Sequence, residues 1–203
     1  MAKSLIERLR LKLSQVFIVM IFICIAFSSS AWEKTSPIVG SVLFISGLTI
    51  ATIASLGRMW CSLYIAGRKS KVLVTEGPYS LSRNPLYVFS FIGAMGVGMA
   101  TETFTYTCIL ALVFAIYYPF VILSEERKLR GYHSDRFDEY LKTVPRFFPS
   151  FAHFREPEEY VVNPIVFRRH IFSALWFVWL ICILELIEEL HELGFLPSLF
   201  KVY

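Results

Sequence analysis

Of 203 residues, 56% are hydrophobic and only 18% charged, with a mean hydropathy of +0.58. That balance excludes an ordinary soluble domain, which runs nearer half apolar with about a quarter of its residues charged, and leaves a polytopic membrane protein. The net charge of +4 is modest and says little about soluble partners, and the chain has no basic field of the size a nucleic-acid patch needs. Cys24, Cys61, Cys108 and Cys182 show no CxxC spacing and no obvious pairing, so free thiols and no metal are expected.

In chain order, Met1 to Lys12 is a basic amphipathic lead-in, with Lys3, Arg8, Arg10 and Lys12 against Glu7, suited to a cytoplasmic membrane interface. The uncharged run Leu13 to Ala31 suffices for the roughly 20 residues that cross about 30 Å of hydrocarbon, and no cleavage pattern marks it as a removable signal. Trp32 to Pro37 leads to a second uncharged run, Ile38 to Gly57, where Gly47 and Ala51 have the spacing of a close helix crossing. Arg58 to Lys71 reads as a basic linker with Trp60 and Tyr64 at headgroup depth. Gly77-Pro78 signals a turn, and Pro85 pushes the residue before it out of helical geometry. Arg83-Asn84-Pro85 is therefore a bent polar segment at the mouth of the apolar run Leu86 to Ala100, whose Gly93, Gly96 and Gly98 admit a neighbouring helix.

Thr101-Glu102-Thr103 turns the chain into a fourth run, Phe104 to Leu123, making an antiparallel hairpin that returns Glu125 and Glu126 to the side of Arg83. Beyond it, Gly131 signals a turn, Ser134 caps a short helix from Asp135 to Thr143, and Val144 to Pro149 is extended. A fifth span covers Ile171 to Ile187, with Glu185, Glu188, Glu189 and Glu192 at its far side. No span carries an ionisable residue at its centre and no repeat is evident, which argues against a transporter.

The expected architecture is an all-α membrane protein of about five transmembrane helices, with a cytoplasmic cofactor pocket formed by the helical hairpin and a C-terminal amphipathic segment. Three regions follow: residues 1–57 with the lead-in and two spans, 58–150 with the polar core, and 151–203 with a linker and the last span. Of the 20 Lys and Arg, only Lys34 and Lys201 fall on the side opposite Arg83, so the positive-inside rule puts the N-terminus and the polar core in the cytoplasm of a bacterial inner membrane or endoplasmic reticulum.

An arginine, an amide and a tyrosine (Arg83, Asn84, Tyr87) facing Glu125 and Glu126 suit a zwitterionic or charged small molecule. The blander account is that Arg83 anchors the interface, Pro85 opens a helix, and the two glutamates are solvated charges.

The order GPYxxxRNPxY, hydrophobic hairpin, EExxL, YxxxVPRFFP, spanning Leu73 to Pro149, resembles the signature of the isoprenylcysteine carboxyl methyltransferase and phospholipid methyltransferase superfamily. The resemblance implies an integral-membrane methyltransferase that uses S-adenosylmethionine, yields S-adenosylhomocysteine, and acts on a lipophilic or small acceptor among membrane lipids. It implies catalytic roles for Arg83, Asn84 and Tyr87. Cofactor contacts are implied for Leu73, Val74, Gly77, Tyr79, Arg83, Pro85, Tyr87, Tyr118, Glu125 and Glu126. Methyl transfer from a sulfonium needs alignment more than acid or base, so no metal is called for. Whether Arg83 holds the donor's carboxylate or the acceptor is open, as is the choice between the two glutamates for the donor's ammonium or ribose.

Three positions depart from the family pattern: Asn84 replaces the usual histidine, Phe89 the usual glycine, and His133 to Phe137 the FGxxY run. Asparagine cannot titrate near neutrality, which weakens proton acceptance there, and Phe89 suggests a narrower acceptor tunnel. The alternative of another class is a non-catalytic membrane protein that keeps the fold and binds lipid or a partner.

Overall fold

A computed structural model describes residues 5–68 and 72–203, with side chains described from residue 16 onward. The side chains of the basic lead-in, and Lys69 to Lys71 of the expected linker, lie outside the described residues. The elements are α1 (Leu5–Ala26), β1 (Ser28–Ser30), α2 (Trp32–Thr35), α3 (Pro37–Ile65), α4 (Pro78–Leu81), α5 (Pro85–Met99), α6 (Phe104–Thr143), α7 (Pro164–Ala174), α8 (Trp176–Glu192) and β2 (Phe200–Val202). The protein is an all-α membrane protein. Among the described residues, α3, α6 and the pair α7–α8 are long and apolar enough to cross a membrane, while α5 and the described part of α1 are shorter apolar helices.

The α3–α5 seam organises the bundle, and its cause is residue size. A Cβ on Gly47 would sit 2.5 Å from the Ala100 backbone nitrogen, and one on Gly96 2.6 Å from that of Ala51, so the two helices touch backbone to backbone. This is the crossing expected at Gly47 and Ala51. Ala51, Val97 and Ala100 then form one core with Ile181 and Leu184 of α8. The α5–α6 hairpin is present as expected, with the Thr103 hydroxyl accepting from the Tyr106 amide at the start of α6.

Four boundaries differ from the sequence reading. The first span stops at Ala26 rather than Ala31, because three serines are poor helix formers and find strand partners instead. Ser28, Ser29 and Ser30 pair in parallel with Phe200, Lys201 and Val202. The second helix runs past Gly57 to Ile65, so Arg58 lies inside α3 and the boundary between residues 57 and 58 falls within a helix. The last span begins at Pro164, capped by the Asn163 side chain, and bends at Leu175 between α7 and α8. Helical geometry in α6 breaks at Ser134, with φ of 36°, while Gly131 stays helical. Arg130 and Asp138 bridge that break at 3.0 Å.

Candidate functional site

Two tethers fold the chain after α3 into a site. Gly77 has φ of 58°, in the left-handed region that glycine alone visits freely, and any Cβ there would meet the Tyr64 ring at 2.3 Å. The loop thus lies flat on α3. Its amide donates to the Arg155 carbonyl, and the Arg155 amide donates back to Ser80 Oγ. The second tether binds the bent segment to the stretch after α6. The Arg83 amide donates to the Pro145 carbonyl at 2.8 Å, Ser82 Oγ to the Arg146 carbonyl, and Asn84 Nδ2 to the same carbonyl at 3.0 Å.

Glu126 sits at the centre of this second tether, only 8% exposed. Its carboxylate accepts from Asn84 Nδ2 at 3.2 Å and from Arg146 Nε at 3.1 Å, and lies 3.6 Å from Arg83 Nε. The last distance is an ion pair, too long for a hydrogen bond. The Arg83 guanidinium makes no side-chain hydrogen bond among the described residues, so its fork remains available to another anion. Burial pushes the Arg83 pKa down, opposed by the Glu126 charge, and burial also raises the Tyr79 phenol well above its usual value.

A cavity of about 390 Å³ opens beside the tether, inside the roughly 300–1,000 Å³ range of small-molecule sites. Of the residues singled out from sequence, Leu73, Val74, Tyr79, Arg83, Asn84, Tyr87 and Glu125 line it. The other four lie outside its wall. Glu126 is held in the tether, Gly77 serves the turn over Tyr64, and Pro85 is the buried first residue of α5. Tyr118 stacks on Phe114 at 3.7 Å and meets Tyr87 edge-on at 5.3 Å, so it backs Tyr87 from behind. Phe89 packs against Gly57 of α3, filling the notch the glycine leaves rather than narrowing the cavity.

Sequence reasoning missed Lys128, Leu129 and Tyr132 of α6 and Tyr140, all of which line the cavity. A signal for the first three existed: residues 125, 128, 129 and 132 follow the i, i+3, i+4, i+7 stripe of one helix face. Glu126, about 100° further round the helix than Glu125, falls outside that stripe. Tyr140 donates its hydroxyl to the Tyr79 carbonyl at 2.5 Å, and with Phe137 and Val144 it forms a small core against Leu73 and Leu129. That core closes the cavity after the Ser134 break. His133, set in the altered FGxxY run, does not line it.

The arrangement is that of a helical membrane protein carrying a polar, aromatic-walled pocket where a hairpin meets a bent RNP segment. The signature described as phospholipid methyltransferase matches residues 35–136, and the chain belongs to that family. It is 37% identical over 195 residues to the nickel-cobalt-cadmium resistance protein NccN of Alcaligenes xylosoxydans xylosoxydans, covering 96% of this chain and 90% of that one. The cobalt-zinc-cadmium resistance protein CzcN of Cupriavidus metallidurans is likewise 37% identical over 195 residues, 96% of this chain and 89% of its own. The protein-S-isoprenylcysteine O-methyltransferase of Schizosaccharomyces pombe is 34% identical over 87 residues, 42% of this chain and 37% of that enzyme. No solved structure matches.

Proposed function

We propose that the protein is an integral-membrane methyltransferase that moves a methyl group from S-adenosylmethionine to a lipophilic or small acceptor carrying a carboxylate, amine or thiol. The observation that carries this reading is the meeting of Arg83, with its unused guanidinium fork, and Glu125 on one aromatic-walled cavity. The residues present fit the donor: Arg83 matches its carboxylate with two parallel hydrogen bonds, Glu125 its ammonium or ribose hydroxyls, and the faces of Tyr79, Tyr87, Tyr132 and Tyr140 its adenine. Bound there, the donor supplies an electrophilic methyl on a sulfonium.

The chain's own part is alignment. Tyr87 shares the cavity wall with Glu125 and is braced by the Tyr118 ring, which limits where its phenol can turn. Asn84 spends its amide on Glu126 and Arg146, so its role is to set the direction of the Arg83 backbone rather than to take a proton. Glu126 positions Arg83. The excess of Lys and Arg on the cavity's side supports a cytoplasmic site.

Calorimetry with S-adenosylhomocysteine on the detergent-purified protein tests donor binding, and a methyl-transfer screen against membrane lipids, prenylated thiols and small thiols, read by mass shift, tests the reaction. Arg83→Ala is expected to insert normally and to lose turnover; turnover retained by that variant removes Arg83 from the site.

A second reading, a non-catalytic membrane component of a metal-resistance system, is favoured by the near full-length likeness to NccN and CzcN. Complementation of a metal-sensitive deletion strain separates the two. Rescue by the parent but not by Arg83→Ala supports methyl transfer, and equal rescue by both supports the non-catalytic role.

A further inference from the structure

Because α3 continues through the expected linker, it carries an arginine along its membrane-crossing length. Arg58 sits seven residues, or about 10 Å of helix rise, before the end of α3 at Ile65. With 29 residues, α3 is about 43 Å long against about 30 Å of hydrocarbon, so an excess of about 13 Å emerging at the cavity end sets Arg58 near the boundary between headgroups and acyl chains.

The guanidinium there has neutral partners only. Nη1 donates to Ser90 Oγ on α5, and Nη2 approaches the Ser173 hydroxyl at 3.4 Å and the Ser173 carbonyl at 3.5 Å on α7. The Phe177 ring lies 5.5 Å beneath it, and Nε is buried without a hydrogen-bond partner. Among the described residues no carboxylate pairs with Arg58, and none pairs with exposed Arg169, one helical turn before Ser173. Two unneutralised guanidinium groups therefore flank one exposed hydroxyl at the edge of hydrocarbon. Hydroxyl and carbonyl dipoles do not cancel a full charge in such a place; an anion does.

The opening faces sideways. Ser173 is exposed on α7 between Phe172, 68% exposed, and Trp176, 58% exposed, so whatever reaches Arg58 passes over apolar surface suited to acyl chains. A planar guanidinium with a hydroxyl alongside is well matched to phosphate oxygens. We propose that Arg58, Arg169 and Ser173 form a lateral site for the phosphate of an anionic membrane phospholipid. The site is separate from the methyl-donor cavity, whose wall includes none of these three residues, and it does not depend on catalysis.

The test uses the full chain purified in mild detergent, titrated with phosphatidylglycerol or phosphatidylcholine of the same acyl composition, with retained lipid counted by native mass spectrometry. The parent is expected to prefer phosphatidylglycerol about tenfold, and the surface substitution Arg169→Gln to lower that preference about fivefold, the worth of one arginine near an anionic surface. Arg58→Gln, which keeps a donor for Ser90, is expected to lower it further, and Arg169→Lys to retain most of it. Should Arg58→Gln fail to fold, Arg169→Gln decides alone. Millimolar inorganic phosphate is expected to leave the lipid in place. Displacement of lipid by phosphate, equal retention of both lipids by the parent, or an unchanged preference in Arg169→Gln overturns the assignment.

Discussion

Replacing Glu126 by alanine removes one carboxylate from three nitrogen partners of unequal exposure, and the structure sets the order of losses. The Asn84 contact is a buried hydrogen bond to a charged group, worth about 1.5–3 kcal/mol. Arg83, with its side chain 10% exposed, loses its ionic partner, and removing one member of a buried pair costs about 3–5 kcal/mol, a figure that already includes the charge left behind. The Arg146 side chain is 52% exposed, so solvent screens its share to about 0–1 kcal/mol. The overlapping losses amount to about 3–5 kcal/mol for Glu126→Ala, against about 1 kcal/mol for Arg146→Ala. Arg83→Ala placed on top of Glu126→Ala should recover part of the loss, because the uncompensated cation is gone. Equilibrium unfolding in detergent measures the parent and all three variants. A stability of Glu126→Ala within about 0.5 kcal/mol of the parent, or an equal cost for Arg146→Ala, would mean that Glu126 is a solvated charge after all.

Glu125→Ala, one position earlier, is expected to weaken S-adenosylhomocysteine binding about tenfold or more in calorimetry while unfolding stays within about 0.5 kcal/mol of the parent. Gly77→Ala meets both a left-handed backbone and the Tyr64 ring, and should lower stability by about 2–4 kcal/mol in the same unfolding assay. Gly96→Ala pushes a methyl into the Ala51 and Gly47 backbones and should cost about 1–3 kcal/mol, while the adjacent Val97→Ala, which opens a gap instead, leaves the α3–α5 spacing unchanged in cysteine cross-linking across that seam. Since burial raises the Tyr79 phenol, its neutral form contributes stability that is whole below about pH 10 and is lost as pH climbs toward the higher folded value. Tyr79→Phe should therefore flatten the alkaline limb of a stability profile.

Local patterns were read well from the chain. Glycines at helical spacing foretold the α3–α5 seam, a short polar turn foretold the hairpin, and serine before an amphipathic stretch foretold a break at Ser134. Hairpin geometry alone also brought Arg83 and the glutamate pair to one end. What stayed hidden depends on contacts between distant residues or on the exact rotation of a helix. The Ser28–Ser30 strand exists only because residues 200–202 lie beside it, and nothing nearby in sequence announces that. Arg58 resembles an interfacial charge until α5 and α7 are seen to close around it. The guanidinium that holds Glu126 comes from the VPRFFP stretch, twenty residues on, which the sequence marks only as extended chain.

Glu125 and Glu126 also set how this protein tolerates change in length. Along α6 each residue advances the helix by about 100° and 1.5 Å. A single codon inserted between Phe104 and Ser124 would thus swing Glu125 from the wall into the clamp position and carry Glu126 round to the exposed place that Arg127 now holds. Point substitutions on the bilayer side of α6 leave both groups where they are. Diversity should accordingly accumulate there by exchange of side chains, with gaps and insertions confined to the stretches that join the helices.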